Sequence, residues 1–167
     1  MKDAKIRKLV LSALLAALVC VSTMILPIPS PTGGYVNPGD AFVLLGGWLL
    51  GPWYGAAAAG IGSALTDLFM GYTFYAPGSL VIKGVTALLA SVLHSVFGRR
   101  AWSLPLSAAI AELWMTLGYF LFTSLLLGKG WAALLSVPGN LVQGAVGLVI
   151  GCTLLHVMHR YHLPEKI

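Results

Sequence analysis

The chain has 167 residues, 58% of them hydrophobic and only 9% charged, with a mean hydropathy of +0.89 and a formal charge of +5. A soluble domain carries about 25% charged residues, so this composition excludes an ordinary water-soluble enzyme. Its charges sit at segment ends rather than in a basic patch, which argues against nucleic acid as a partner. The expected class is an all-α membrane protein, a compact helical bundle in membrane lipid, with room for about six spans in one domain over 1–167.

The N-terminal MKDAKIRK places four basic residues before the first apolar run, 9–26. A signal peptide also opens this way, but no A-x-A-like cleavage site follows, so a retained first span is expected. Ala13 and Ala17 share one face of it, where small side chains let another helix approach closely. That helix belongs either to this protein or to a partner. Next come Pro27, Pro29, Pro31 and Pro38 interleaved with Gly33, Gly34 and Gly39. Proline lacks the amide donor and clashes with the preceding turn, so this is a stiff loop, able to close over something held among the helices.

A short second span is expected over 41–51, ending in the Gly51-Pro52-Trp53-Tyr54-Gly55 turn, where two aromatics suit an interface. The third, 54–70, is so rich in Ala and Gly that a central position is expected. After the aromatic loop of Tyr72, Phe74 and Tyr75, a fourth span over 79–97 stops at Gly98-Arg99-Arg100. A fifth covers 104–127. Beyond the amphipathic piece at 131–135, Pro138 opens a sixth over 138–158. With the N-terminus inside, Lys2, Lys5, Arg7, Lys8, Arg99, Arg100, Arg160 and Lys166 are all inside, eight of the ten Lys and Arg. The positive-inside rule then puts both termini in the cytoplasm and the proline-rich loop outside.

An ionisable group at a helix centre in a bilayer costs about 2.5–3.5 kcal/mol on insertion scales, so each needs a reason. Asp67 and Lys83 fall in the outer halves of their spans, and Asp40 at the mouth of the second. Glu112 starts a polar stripe that continues through Thr116, Tyr119 and Thr123. Asn140 and Gln143 lie three residues apart near the outer end of the sixth span. The bland alternatives are that Asp67 pairs with Lys83 or holds the proline-rich loop, and that Asn140 and Gln143 are interhelical glue. Gly144, Gly147 and Gly151 read as packing residues. Cys20 and Cys152 read as small buried residues, and His94, His156, His159 and His162 as no metal site. The chain contains no G-x-x-x-x-G-K-S/T, H-E-x-x-H or G-x-S-x-G, so neither nucleotide hydrolysis nor a catalytic role or cofactor is expected.

The runs P-x-P-x-P-T-G-G-Y at 27–35, G-D-A-F at 39–42, L-L-G-P at 49–52, G-I-G-S-A-L-x-D at 60–67, Y-A-P-G at 75–78 and I-K-G at 82–84 resemble the substrate-binding S components of energy-coupling factor transporters. The likeness is to the riboflavin-transporter-like branch, which includes pyridoxine and hydroxymethylpyrimidine proteins. It covers the whole chain. It implies a vitamin-binding subunit of the prokaryotic cell membrane, capped by the loop after the first span, that works with a transmembrane coupling subunit and two ATPases. Ala13 and Ala17 then match the family's docking motif. The expected ligand contacts are Tyr35, Asp40, Asp67, Tyr72, Tyr75, Lys83, Glu112, Tyr119, Asn140 and Gln143. No riboflavin-specific contact set matches, and the loops are short, so a pyridine or pyrimidine vitamin is favoured over riboflavin. The competing class is an autonomous carrier driven by an ion gradient, with Asp67 and Glu112 relaying protons.

Overall fold

A computed structural model describes residues 2–30 and 35–161. The Pro-Thr-Gly-Gly part of the expected lid at 31–34, and His162 and Lys166, lie outside the described residues. Six α-helices account for most of the rest: α1 (Lys2–Ile25), α2 (Asp40–Leu50), α3 (Pro52–Phe69), α4 (Ala76–Val96), α5 (Ser103–Leu121) and α6 (Val137–Arg160). Four segments are long and apolar enough to cross a membrane: Lys5–Ile25, Ala76–Val96, Ser103–Leu126 and Gly130–Arg160. Their outer faces carry large apolar side chains, among them Leu9, 65% exposed, and Val96, 70% exposed. Contiguous apolar surface of this kind is stable only against lipid or another protein.

The boundaries differ from the sequence reading in specific ways. Helix α1 starts at Lys2, because Lys and Arg are good helix formers and the basic segment simply continues the first span outward. The proline-rich loop is not purely irregular: Ile28–Pro29 (β1) and Tyr35–Val36 (β2) pair antiparallel. Proline is compatible with such an edge, where its missing donor faces away from the ladder. Helix α5 ends in a π-helical turn at Phe122–Leu126, and the amphipathic piece forms a 3-10 segment, Gly130–Ser136, that runs straight into α6.

Helix α3 packs against α1, α2 and α4, while α6 packs on α2 and α5. This central place follows from its small residues. Gly62 lies so near α1 that an added Cβ would meet the Ala16 carbonyl oxygen at 2.5 Å, and Gly60 lies equally close to the carbonyl of Leu80. The chain reverses between α2 and α3 at Gly51, whose φ of +84° favours glycine, and Pro52 then opens α3 at a position that needs no donor. A very close backbone approach joins α2 to α4, where a Cβ on Gly47 would sit 2.2 Å from the Ala87 carbonyl oxygen. Gly47→Val is therefore expected to destabilise the bundle by about 1–3 kcal/mol or more, because backbone cannot yield as a side chain does. A lowered melting temperature of the detergent-purified protein checks it; an unchanged one would mean that α2 and α4 are not packed this closely.

Candidate functional site

Two neighbouring sets of buried polar side chains bear on function. Asp40, the first residue of α2, places its carboxylate where Lys83, about two turns into α4, forms an ion pair with Oδ1. Gln143 of α6 donates from Nε2 to Asp40 Oδ2 at 2.7 Å. Its Oε1 accepts the Asn37 backbone N–H at 2.8 Å and the Asn37 side-chain amide at 3.4 Å. Asn37 Oδ1 in turn accepts from Thr23 Oγ1 of α1 at 3.1 Å and from the Gly39 N–H at 2.9 Å. Four helices and the loop stem are thus tied at one level. The glycines of α6 allow it: a Cβ on Gly147 would stand 2.7 Å from Asp40 Cβ.

The second set lies beside it. The Tyr35 hydroxyl, from β2, donates to Asp67 Oδ1 at 2.6 Å, and the Ser79 and Tyr119 hydroxyls share a hydrogen bond of 2.8 Å. Burial, together with the adjacent Asp67 carboxylate, pushes the Tyr35 phenol up from its ordinary range, so it stays a protonated donor. Lys83 Nζ lies 5.5 Å from the centre of the Tyr119 ring, within cation–π range. Tyr72 stacks behind Tyr35 at 4.9 Å, and Tyr75 packs against Phe122 of the π-helical turn at 6.0 Å.

Together these side chains surround a cavity of about 40 Å³. Tyr35, Asp40, Asp67, Tyr75, Lys83, Tyr119, Asn140 and Gln143, eight of the ten residues expected from sequence, line it. Tyr72 and Glu112 are not in the lining. Tyr72 is the second ring in a row, packed between Tyr35 at 4.9 Å and Tyr75 at 6.5 Å. Glu112 faces the seam between α5 and α6, where its Cβ occupies the space a side chain on Gly144 would need. Both of its carboxylate oxygens are buried without a hydrogen-bond partner among the described residues. Sharing a helix face with Tyr119 therefore did not give it the same depth. Lys83 also pairs with Asp40 and not with Asp67, whose Oδ1 holds the loop through Tyr35. Asn37, Thr23, Ser79 and Thr123 are among the other lining residues. Asn37 was missed as a site residue because Asn-Pro-Gly reads only as a turn, yet an Asn at the foot of a loop is also a ready donor and acceptor.

Ala13 and Ala17 are both exposed on α1, while Ala16, one step round the helix, turns onto Gly62. Close packing inside this chain therefore uses Ala16 and leaves the Ala13/Ala17 face open.

A mainly apolar helical bundle with charged and amide side chains gathered round an internal chamber defines a helical membrane protein organised about a polar centre. The family model for the "ECF-type riboflavin transporter, S component" matches residues 3–160. The chain belongs to that family. It is 34% identical over 146 residues to a Pyrococcus woesei protein described as "Uncharacterized protein in gap 3'region", spanning 85% of this chain and 95% of that one. It is 30% identical over 162 residues to the "Thiamine precursor transporter HmpT" of Lactococcus lactis subsp. cremoris (strain MG1363), spanning 96% and 92%. A solved chain described under "Structure and mechanism of the S component of a bacterial ECF transporter" shares the fold, with a TM-score of 0.78, 24% identity and coverage of 94% of this chain and 98% of that one.

Proposed function

We propose that this chain is the binding subunit of a vitamin importer: a single membrane domain that captures a small water-soluble vitamin or precursor at the cell surface and passes it inward with a coupling subunit and two ATPases. Six crossings with both termini cytoplasmic belong to this reading, supported by the distribution of Lys and Arg. The subunit is not an enzyme, and the vitamin is its cargo. The observation that carries the proposal is the gathering of Asp67, Lys83, Asn140 and Gln143 around one cavity beneath Tyr35. In a bilayer, burying so many polar groups together is hard to account for by stability alone.

Two facts favour a pyridine- or pyrimidine-sized ligand over riboflavin. Pockets for small ligands usually measure about 300–1,000 Å³, so the 40 Å³ cavity must spread on binding, and a single ring needs far less spreading than a tricyclic one. The HmpT relative is named for a thiamine precursor. Tyr35 and Tyr75 supply faces for stacking, and Asn140, buried and without a hydrogen bond among the described residues, supplies an amide.

Purified protein alone should bind such a compound in calorimetry, and vesicles containing it should take none up until coupling subunit, ATPases and ATP are added. Uptake driven by a pH gradient without them would instead establish an ion-coupled carrier. Asn140→Ala is expected to weaken binding by about 1–3 kcal/mol, the usual range for an unmade buried hydrogen bond. Unchanged affinity would make Asn140 a packing residue.

A further inference from the structure

Within the binding reading above, one atom of the lining stands apart. The two acids of the cavity wall, Asp40 and Asp67, present four carboxylate oxygens. Three have donors: Lys83 and Gln143 serve Asp40, and Tyr35 serves Asp67 Oδ1. The fourth, Asp67 Oδ2, is buried with no hydrogen-bond partner, on a residue only 3% exposed. Such an oxygen is costly to leave unmade, because burial removes the water that would otherwise solvate it.

The neighbouring groups do not relieve it. Lys83 is committed to Asp40 and the Tyr35 proton is directed at Oδ1, and the Ser79 and Tyr119 hydroxyls, whose single mutual hydrogen bond leaves one proton over on Ser79 or Tyr119, make no hydrogen bond to Oδ2. A carboxylate is an acceptor only. What satisfies Oδ2 best is an arriving donor, and the same wall carries the Tyr35, Tyr75 and Tyr119 rings.

We infer that Asp67 is the selectivity residue of this site and that its Oδ2 accepts a hydrogen bond from the exocyclic amino group of an aminopyrimidine. The ring lies against the tyrosines while the amino N–H meets the open oxygen. Asn140 remains able to donate or accept towards a ring nitrogen or a hydroxymethyl group. An analogue with hydrogen in place of the amino group leaves Oδ2 as it stands in the free protein and forfeits a charge-assisted hydrogen bond.

The test is a pair of titrations on the detergent-purified full chain, with 4-amino-5-hydroxymethyl-2-methylpyrimidine and with its 4-desamino counterpart. The expected result is that the amino compound binds roughly 10–100-fold more tightly, the range for a hydrogen bond to a charged group. Asp67→Asn should abolish the preference. Tyr35 then donates to the amide oxygen and the amide N–H₂ is left facing the ligand's own donor. Equal binding of the two compounds by the unmodified protein overturns the inference, and this arm needs no variant to fold. Retention of the preference in a folded Asp67→Asn protein also overturns it and leaves Asp67 as an anchor for β2. Tight binding of riboflavin or pyridoxine with neither pyrimidine bound overturns it while the importer reading stands. Binding of none of the four, with no small molecule co-purifying, overturns both.

Discussion

Ala13→Trp and Ala17→Trp should each leave ligand binding intact and reduce ATP-dependent uptake to background. Both alanines are exposed on α1, on the side not used against α3, whereas the inward Ala16 meets Gly62. Helices in lipid associate through close backbone approach at small residues, so an indole at either position holds a partner helix away. Neither residue lines the cavity. The measurement is calorimetry on the purified variant beside uptake in vesicles holding the full complex. Transport at the unmodified rate by either variant would sink the docking assignment, and lost binding would show that α1 had been displaced within the bundle.

The other large effect is expected at the ion pair. Lys83→Ala leaves the Asp40 carboxylate, on a residue 1% exposed, with Gln143 as its remaining side-chain donor. Removing one partner of a buried pair costs about 3–5 kcal/mol, whereas replacing both by neutral groups of similar size is often close to neutral. Lys83→Ala should therefore markedly lower the melting temperature of the purified protein, and the double variant Lys83→Met with Asp40→Asn should recover most of it. A double variant no better than the single one would show that the loss came from packing. Because both residues line the cavity, ligand affinity should fall as well, and the double variant should not restore it.

Much of the bundle is legible from composition and punctuation. Apolar length marks the four long helices, Gly51-Pro52 marks the break after α2, and the Ala/Gly run of α3 announces its central place. The convergence of Asp67, Lys83, Asn140 and Gln143 on one cavity is legible for the same reason: each is costly in lipid and must find company. Which of them bond each other is not. Asp40 and Asp67 lie on different helices with similar claims on Lys83, and spacing along the chain does not say which of them α4 will face. Helical spacing likewise ranks Glu112 with Tyr119 on one face, but depth in the bundle separates them. The β1–β2 pairing rests on four residues around prolines, too short a run to show any periodicity.

If a partner helix docks on it as proposed, the alanine face of α1 has a consequence for turnover. A methyl group brings two backbones near while adding little contact area, so the union it permits is shaped by fit and stays shallow in energy. A clasp built of leucines would hold more firmly and let go less readily. Under the proposed importer reading, a subunit that is seized loaded and given back spent is well served by a seam that closes tightly over a small area.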